Sequence, residues 1–529
     1  MKSEELFALL RRRGIVWPTA EIYGGAQGLY DYGPLGAALK RRIEEAWTAW
    51  FVGLSHDYYR IDPAEILPEA VVRASGHLEN FTDPEVTCEN CHNEFRADTL
   101  LEKVRPEGVD GLAPAQIAEL VRSEKVKCPR CGSSALSVPR PFNMMFGLDF
   151  GVTGKERVYL RPETAQSSYL AFPRMWDVGR HALPLGIAVV GRAYRNEIAP
   201  RQLLFRLRAF TQAELQIFFD PASFDLPFER VREERLPVLR VDRRTAGEER
   251  PEWVAAGELA RPGGLPEFYV FHLAHTYRFY RDVLGIAAER LRLFEKSDQE
   301  RAFYNRIQFD VEAELESLGG YKELGAVHYR GDYDLSRHGE GSGKDLSVTL
   351  NGGRRVLPHV LELTFGPDRT LWALADLHLR TDGERTVWQL PAYLAPVAAG
   401  VFPLIPKAHA ELAHHLTDDL VAAGIVARYD GTGTIGKRYA RADEAGTPFC
   451  VTVDGETLGP GPNHDTVTLR DRDSKAQRRV SRGELIPQLL ADLRLPRPVR
   501  TDRSLGHRDA ESGEPGDDGS ERVPPASGA

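Results

Sequence analysis

Four of the five cysteines lie in two Cys-x-x-Cys pairs, Cys88 with Cys91 and Cys128 with Cys131. Thiolates at this spacing point at one ion, and two such pairs complete a tetrahedral site of the kind that holds zinc. Because all four ligand positions are filled and none stays open for water, the set predicts a structural Zn²⁺ site. Four small buried apolar side chains are the weaker interpretation, because two matched pairs rarely arise without a metal.

A second group of residues combines arginines and carboxylates on strand-like segments. Arg195 and Glu197 follow one apolar run, Phe210 and Glu214 lie in the next, and Arg369 opens a later helix. An arginine on a strand is costly unless it is paired or binds phosphate, whose oxygens its planar guanidinium holds two at a time. A single arginine would suggest only a surface ion pair, but an ordered series favours a phosphate-bearing substrate. We expect no glycine-rich phosphate loop, so arginine side chains would hold the phosphates.

The composition is that of a folded chain with ample material for a core, since 42% of the 529 residues are hydrophobic and 27% are charged. At about 150 residues per domain, this length suggests roughly three or four domains. No run of eighteen uncharged apolar residues occurs, so we expect no membrane span. The net charge of −9 argues against a polybasic nucleic-acid binder, although a structured RNA could dock on a local basic face.

Cysteine content and the first residues predict a cytoplasmic chain. Five cysteines in 529 residues exclude a disulfide-built secreted domain. The apolar stretch at residues 6–10 precedes three arginines, whereas a signal peptide places its charge before the apolar stretch.

Strands and helices must carry these residues. The apolar stripe Leu39, Ile43, Ala46, Trp47 and Trp50 indicates a helix packed in the core, although a subunit interface would use the same stripe. Hydrophobic spacing further predicts strands at 157–160, 186–194, 207–219 and 356–365, and helices at 37–51, 273–284 and 300–318.

Beyond residue 390 the pattern changes to strands alternating with helices, which indicates a separate α/β domain at 395–493. Residues 1–390 would form the first domain, with a cysteine-containing insertion at 85–135 and a charged insertion at 222–266. The segment 496–529 has almost no apolar content, so we expect it to be disordered.

These segments resemble the signature motifs of class II aminoacyl-tRNA synthetases, and specifically the dimeric type of glycyl-tRNA synthetase. The matching blocks are residues 21–25, 32–36, 75–77, 81–84, 161–166, 194–198, 332–338, 358–360 and 446–454. The resemblance covers roughly residues 5 to 490, far more than one short motif gives by accident. It implies an α+β fold with a six-stranded antiparallel catalytic sheet and flanking helices. It also implies a zinc-knuckle insertion, a C-terminal anticodon-binding domain and a homodimer formed through the first motif.

The same resemblance implies a glycine–tRNA ligase that uses ATP with Mg²⁺, glycine and tRNA(Gly). Arg195 would grip the α-phosphate, Glu197 the adenine edge, and Phe210 would stack on the adenine ring. Arg369 would cover the other face of the adenine or the γ-phosphate side, and Glu323 would lie near ATP and magnesium. The catalytic set is then Arg195, Glu197 and Arg369, and the remaining ATP contacts are Asn196, Phe205, Arg206, Leu324 and Gly366.

Glycine has no side chain, so recognition must come from its ammonium, its carboxylate and the exclusion of any Cβ atom. By resemblance, Glu362 and Glu163 would hold the ammonium and Arg330 the carboxylate. The wall against larger amino acids would be Thr364, and the further glycine contacts are Arg96, Phe210, Gln212 and Glu214. Because no smaller amino acid competes, no editing domain is required.

Several positions depart from the family pattern. The family commonly has Glu-Pro-Ser where this chain has Glu362-Leu363-Thr364. Its Glu-Phe-Glu-Gln-Met-Glu is replaced at Ala209, Thr211 and Ala213, which loses two side chains beside ATP. Two alternatives therefore stay open: a non-catalytic paralogue, such as an RNA-binding or polymerase accessory protein, and a class II synthetase for alanine or serine. Residues 431–441 place three cations and an aromatic beside glycines, which suits single-stranded RNA or, alternatively, domain packing.

Overall fold

A computed structural model describes residues 2–101, 114–179, 181–200, 202–224, 226–383 and 385–499. Part of the cysteine-containing insertion, residues 102–113, and residues 500–529 of the predicted disordered tail lie outside the described residues. Among the described helices, none is long and apolar enough to span a lipid bilayer.

A nine-stranded sheet forms the centre of the larger domain. Its strands in chain order are β1 (Tyr58–Ile61), β2 (Leu185–Tyr194), β3 (Ala209–Phe219), β4 (Arg235–Leu239), β5 (Glu252–Ala255), β6 (Leu291–Glu295), β7 (Ile307–Leu315), β8 (Gly320–Gly331) and β9 (His359–Phe365). The spatial order is β5-β4-β6-β7-β8-β9-β3-β2-β1. The six strands from β6 to β2 are antiparallel neighbours, as expected, while β1 and β4 join the two edges in parallel.

The segment 222–266 is more closely integrated than the expected charged insertion. It supplies β4 and β5, which extend one edge of the sheet. Leu236 and Val238 are fully buried, so alternate side chains of β4 enter the core despite the charged surroundings.

The helix predicted over 300–318 is wrong, because Ile307–Leu315 in this segment form β7. Its buried residues Phe309, Val311, Ala313 and Leu315 recur at every second position, which is the period of a strand. The intervening carboxylates face the other side of the sheet, which is the side that holds the cavity described below.

Helices cover the sheet on both faces. The main ones are α1 (Ser3–Arg12), α2 (Pro34–Phe51), α3 (Ala165–Val178), α4 (Glu267–Arg278), α5 (Tyr333–Ser342) and α6 (Pro367–His378). On α2 the predicted stripe is buried within this chain, which confirms the core-packing interpretation. The helix α4 continues into a π-helical turn at Phe279–Val283, so the helix predicted at 273–284 is confirmed.

Two small three-stranded sheets lie between α2 and α3 in the chain. One consists of Thr82–Thr87, Glu94–Arg96 and Arg140–Asn143, and it carries the cysteines together with the short helices Ala97–Leu101 and Pro114–Ser123. The other consists of Ile66–Pro68, Gly147–Phe150 and Glu156–Leu160.

The C-terminal part has its own sheet and core. Its strands are β10 (Ala399–Pro403), β11 (Ala427–Tyr429), β12 (Phe449–Val453), β13 (Thr466–Asp471) and β14 (Gln477–Ser481), and its helices are α7 (Pro406–Ala422), α8 (Ile435–Glu444) and α9 (Arg482–Asp492). The strand order is β11-β10-β12-β13-β14. Val401, Leu416 and Val451 belong to a hydrophobic cluster separate from that of the larger sheet.

Candidate active site

A cavity of about 300 Å³ opens over strands β3, β8 and β9. Glu214 on β3 lies directly opposite Thr364 on β9, and Glu362 on β9 pairs with Gln216 on β3 and His328 on β8. Directly opposite residues in a sheet share a face, so strand pairing brings these polar side chains together. The residues between them, such as Leu215 and Leu363, are buried on the other face.

Every expected ATP and glycine contact except Asn196 and Arg330 lines this one cavity. Those that do are Arg96, Glu163, Arg195, Glu197, Phe205, Arg206, Phe210, Gln212, Glu214, Glu323, Leu324, Glu362, Thr364, Gly366 and Arg369. The backbone N–H of Asn196 instead donates to the carbonyl oxygen of Met144 at 2.8 Å.

Three glutamates face the deep end of the cavity, each held by neighbours. Glu214 accepts hydrogen bonds from the hydroxyls of Thr364 at 2.9 Å and Thr164 at 2.7 Å. Nearby, Gln166 donates to Glu163 at 2.8 Å, and Gln216 donates to Glu362 at 2.8 Å. Thr364, which stands where the family commonly has serine, therefore keeps the hydroxyl donor. Its extra methyl group narrows the cavity at this wall.

Glu214 and Glu163 do not share one protonation state. Burial, together with the charges of Glu362 and Glu163, raises the pKa of Glu214 to about 8. Burial also works to raise the pKa of Glu163, but His77 and Arg330 outweigh it and hold that pKa well below its ordinary value. At neutral pH the free site therefore carries a proton on Glu214, and a bound cation would displace it.

Arg330 occupies a different place from the one expected for a carboxylate-binding arginine. It is 1% exposed and lies behind the glutamates, outside the cavity lining. Its guanidinium donates to Asp334 at 2.7 and 2.9 Å and to Glu362 at 3.0 Å. With these bonds made and Glu163 3.8 Å away, Arg330 orients the carboxylates of Glu163 and Glu362.

Arg195 stands at the centre of the cavity's wider end. Its guanidinium carbon lies 5.3 Å from the ring centre of Phe81 and 5.2 Å from that of Phe210, and its Nε donates to the Pro162 carbonyl at 3.2 Å. Among the described residues it forms no ion pair with a carboxylate. An arginine that lies between two aromatic rings and has no carboxylate partner is available to bind an anionic ligand.

The remaining charged groups surround this position. Arg369 at the start of α6 pairs with Glu323 at 3.0 Å, and Arg206 lies 3.7 Å from Glu197. An Oε atom of the buried Glu197 has no hydrogen-bond donor among the described residues, so it can accept from an amino group in the cavity.

Arg96 reaches the cavity from the cysteine-containing sheet. Its guanidinium contacts Asp83 at 2.7 Å and Asp98 at 2.5 Å, which fixes its direction. Burial raises the pKa of Asp83 to about 6 although Arg96 lies beside it.

More than nine-tenths of the chain is similar to curated glycine–tRNA ligases. The relative from Thermococcus gammatolerans is 35% identical, with 93% of this chain and 98% of the relative covered. Those from Methanothermobacter thermautotrophicus and Aeropyrum pernix are each 36% identical over 92% of this chain and cover 99% and 96% of the relative. The chain belongs to this family. A domain family described as an anticodon binding domain also matches residues 392–492, the part built on strands β10 to β14.

Within this family member, the four cysteines meet as expected. The Sγ atoms of Cys88 and Cys131 lie 3.6 Å apart, as do those of Cys91 and Cys128, and all four lie within 4.8 Å of one another. Four thiolates about 2.3 Å from a tetrahedral ion would lie about 3.8 Å apart, whereas a disulfide needs about 2 Å. The spacing fits a metal ion with four thiolate ligands.

The family pattern at Ala209 and Ala213 had suggested lost contacts to ATP. Neither residue lines the cavity, and Ala213 is fully buried on the opposite face of β3. These two departures therefore leave the cavity lining intact, whereas the third, Thr211, lines the cavity.

Nine cavity residues were not expected from the sequence: Met144, Leu204, Leu207, Thr211, Tyr304, Gly325, His328, Phe365 and Asp368. A signal existed for Asp368, which precedes Arg369 at the same helix start. Tyr304, whose ring lies 3.9 Å below the guanidinium of Arg330, follows no motif.

Within residues 431–441, Arg438 serves the packing of the C-terminal domain. Arg438 is 2% exposed, and its guanidinium donates to the carbonyls of Gly431 and Gly433 at 2.9 and 2.7 Å. With Gly436, these glycines form a Gly-x-Gly-x-x-Gly between β11 and α8, which corrects the expectation that no such sequence follows a strand. Since a side chain of the protein fills the loop and binds its carbonyls, the loop is not a phosphate cradle.

Proposed function

We propose that this chain activates glycine with ATP and transfers it to tRNA(Gly), as a glycine–tRNA ligase. The carrying observation is one cavity that brings three buried glutamates together with Arg195, which has no carboxylate partner among the described residues. Glu163, Glu214 and Glu362 suit the ammonium of an amino acid, and Thr364 limits the space beside it. Arg195 and Phe210 suit a phosphate and a base.

In the first step, the glycine carboxylate attacks the α-phosphorus of ATP in line, and pyrophosphate leaves. Arg195 stabilises the charge that develops on the α-phosphate oxygens, and Arg96 lies where it can orient the glycine carboxylate. Glu197 accepts from the adenine amino group, while Phe210 and Arg369 hold the ring. Glu323 would lie near the magnesium that accompanies ATP. No covalent enzyme intermediate is required, so positioning carries the rate.

In the second step, a terminal ribose hydroxyl of the tRNA attacks the carbonyl carbon of glycyl-adenylate, and AMP leaves. The ester bond to tRNA forms as the mixed anhydride breaks. The C-terminal domain would hold the anticodon end of the tRNA while the acceptor end reaches the cavity.

The metal at the four cysteines would be zinc, because a closed set of four thiolates is the common structural zinc site. When bound, it would join the two Cys-x-x-Cys turns and so fix the sheet that carries Arg96. Free thiolates of this kind require a reducing compartment, which supports a cytoplasmic location.

The chain would act as a homodimer formed around the first of the family's signature motifs, residues 32–36. Ile22 and Tyr23, just before this motif, are 90% and 87% exposed, and Trp17 beside them is also exposed. We expect sedimentation at micromolar concentration to give about twice the chain mass of 59.1 kDa. Ile22→Ser with Tyr23→Ser should shift the protein towards monomer, and a monomeric unmodified protein would contradict the interface.

The test of the function is ATP–pyrophosphate exchange measured with each of the twenty amino acids. Exchange that depends on glycine alone supports the proposal. Exchange with alanine or serine would identify a different class II synthetase, and no exchange with any amino acid would identify a non-catalytic paralogue.

The protonated Glu214 predicts a pH dependence of glycine binding. Because the ammonium binds the ionised carboxylate, glycine binding below pH 8 must release the proton held by Glu214. The KM for glycine should therefore fall up to about tenfold per unit as pH rises from 6 towards 8, and then level off. Glu214→Gln should weaken glycine binding and flatten the profile. The KM for ATP in the same series is the control, and a flat glycine profile in the unmodified enzyme would refute the assignment.

A further inference from the structure

Asp368, in the first turn of α6, is a buried carboxylate that the steps above do not use. It is 2% exposed. Its Oδ2 accepts the backbone N–H of Thr211 at 2.5 Å, and its Oδ1 accepts the phenol of Tyr32. A buried carboxylate is costly unless its oxygens are bonded, so these contacts hold it in place.

The partners of Asp368 belong to the elements on the two sides of the nucleotide end. Thr211 follows Phe210 on β3, and Arg369 follows Asp368 on α6. The Asp368 carboxylate therefore links the backbone beside Phe210 to the helix turn that carries Arg369. Phe210 and Arg369 are the two expected adenine contacts. Their spacing depends on this link more than on any contact between Phe210 and Arg369 themselves.

A residue from outside the cavity braces the link. Tyr32 is not among the cavity-lining residues, and its phenol reaches Asp368 from the segment before α2. Burial and the Asp368 carboxylate raise the pKa of Tyr32, so the phenol remains a donor. Lys40 of α2 adds a bond from its ammonium to the Thr211 hydroxyl at 2.5 Å.

We propose that Asp368 is a positioning residue that sets the spacing between Phe210 and Arg369 for the adenine ring, with Tyr32 locking its carboxylate. This inference rests on the proposed function, because it takes the base to bind between these two side chains. A ring in contact with both faces needs them about 7 Å apart, so a small shift of α6 loses contact on one side.

The test uses Asp368→Asn, which keeps the size but weakens the acceptor, and Tyr32→Phe, which removes only the phenol donor. In glycine-dependent pyrophosphate exchange, we expect the KM for ATP to rise about tenfold in D368N and about threefold in Y32F, as loss of a hydrogen bond to a charged group does. The kcat and the KM for glycine should stay within about twofold. The double variant should be no worse than D368N, since both changes break one link.

Asp376 provides a matched control in the same helix. It accepts the backbone N–H of Ser317 at 3.0 Å and the Ser317 hydroxyl at 2.7 Å, and it does not line the cavity. Asp376→Asn should lower the Tm about as much as Asp368→Asn does, without raising the KM for ATP.

Three results would overturn the inference while leaving the function intact. The first is an unchanged KM for ATP in D368N, and the second is a parallel rise of the KM for ATP and the KM for glycine. The third is an effect of D368N that Y32F does not share, with the two effects adding in the double variant. If D368N does not fold, Y32F alone decides by the same comparison. Absence of exchange in the unmodified protein would refute the proposed function itself, and this inference with it.

Discussion

Replacing Arg195 by alanine should lower glycine-dependent pyrophosphate exchange by about a hundredfold or more. Arg195 is held between Phe81 and Phe210 and donates one N–H to Pro162. Within the described part of the chain it has no carboxylate partner, so its remaining donors are free for the α-phosphate oxygens. A preorganised charged donor aimed at developing charge typically contributes about 10²–10³ in kcat.

Two further variants sharpen this expectation. Arg195→Lys keeps the charge but cannot hold two oxygens in one plane, so it should recover only part of the activity. Arg174→Ala removes an exposed arginine of α3, away from the cavity, and should leave exchange unchanged. The measurement is kcat and KM for ATP at saturating glycine. Near-normal exchange in R195A would refute the role of Arg195 and weaken the placement of ATP.

The parts of the site that lie on regular strands could be predicted from the sequence. On β3, polar Gln212, Glu214 and Gln216 alternate with buried Leu215 and Ile217, so the period of two indicates both the strand and its two faces. The resemblance to the family motifs then identified the neighbouring strand β9 and its Glu362.

The parts that depend on pairing between distant segments could not be predicted. Asp334, four residues after Arg330, binds two of its guanidinium nitrogens, but only the fold shows that Glu362 binds a third. A carboxylate-binding role for Arg330 therefore stays a prediction, because Arg330 lies outside the cavity lining and is bound to Asp334 and Glu362. The strand β7 is a different case, because its buried apolar residues recur at every second position and the sequence therefore carried the signal of a strand.

The last prediction separates the two domains. Deleting residues 395–490 should abolish tRNA glycylation and leave measurable glycine-dependent exchange, because all the residues that line the cavity lie between Arg96 and Arg369. The hydrophobic cluster of the C-terminal sheet is distinct from that of the larger sheet, but the deletion also removes Val397 and Ala445, which pack in or against the larger core. Arg385 loses its partner Asp443, and Arg13 loses Glu444. Both arginines then face water, where a lone guanidinium is stable.

The comparison needs three proteins: the full chain, the deletion, and a chain that lacks only residues 500–529. The short truncation removes a segment of almost no apolar content, so both exchange and charging should match the full chain. Circular dichroism and sedimentation of the deletion variant establish that it folds and keeps its oligomeric state. If the deletion still charged tRNA at the full rate, the anticodon end would not be held by strands β10 to β14. Loss of exchange in a folded deletion variant would instead show that the C-terminal domain supports the cavity, through contacts such as the bond from Arg472 to the carbonyl of Leu390 at 2.6 Å.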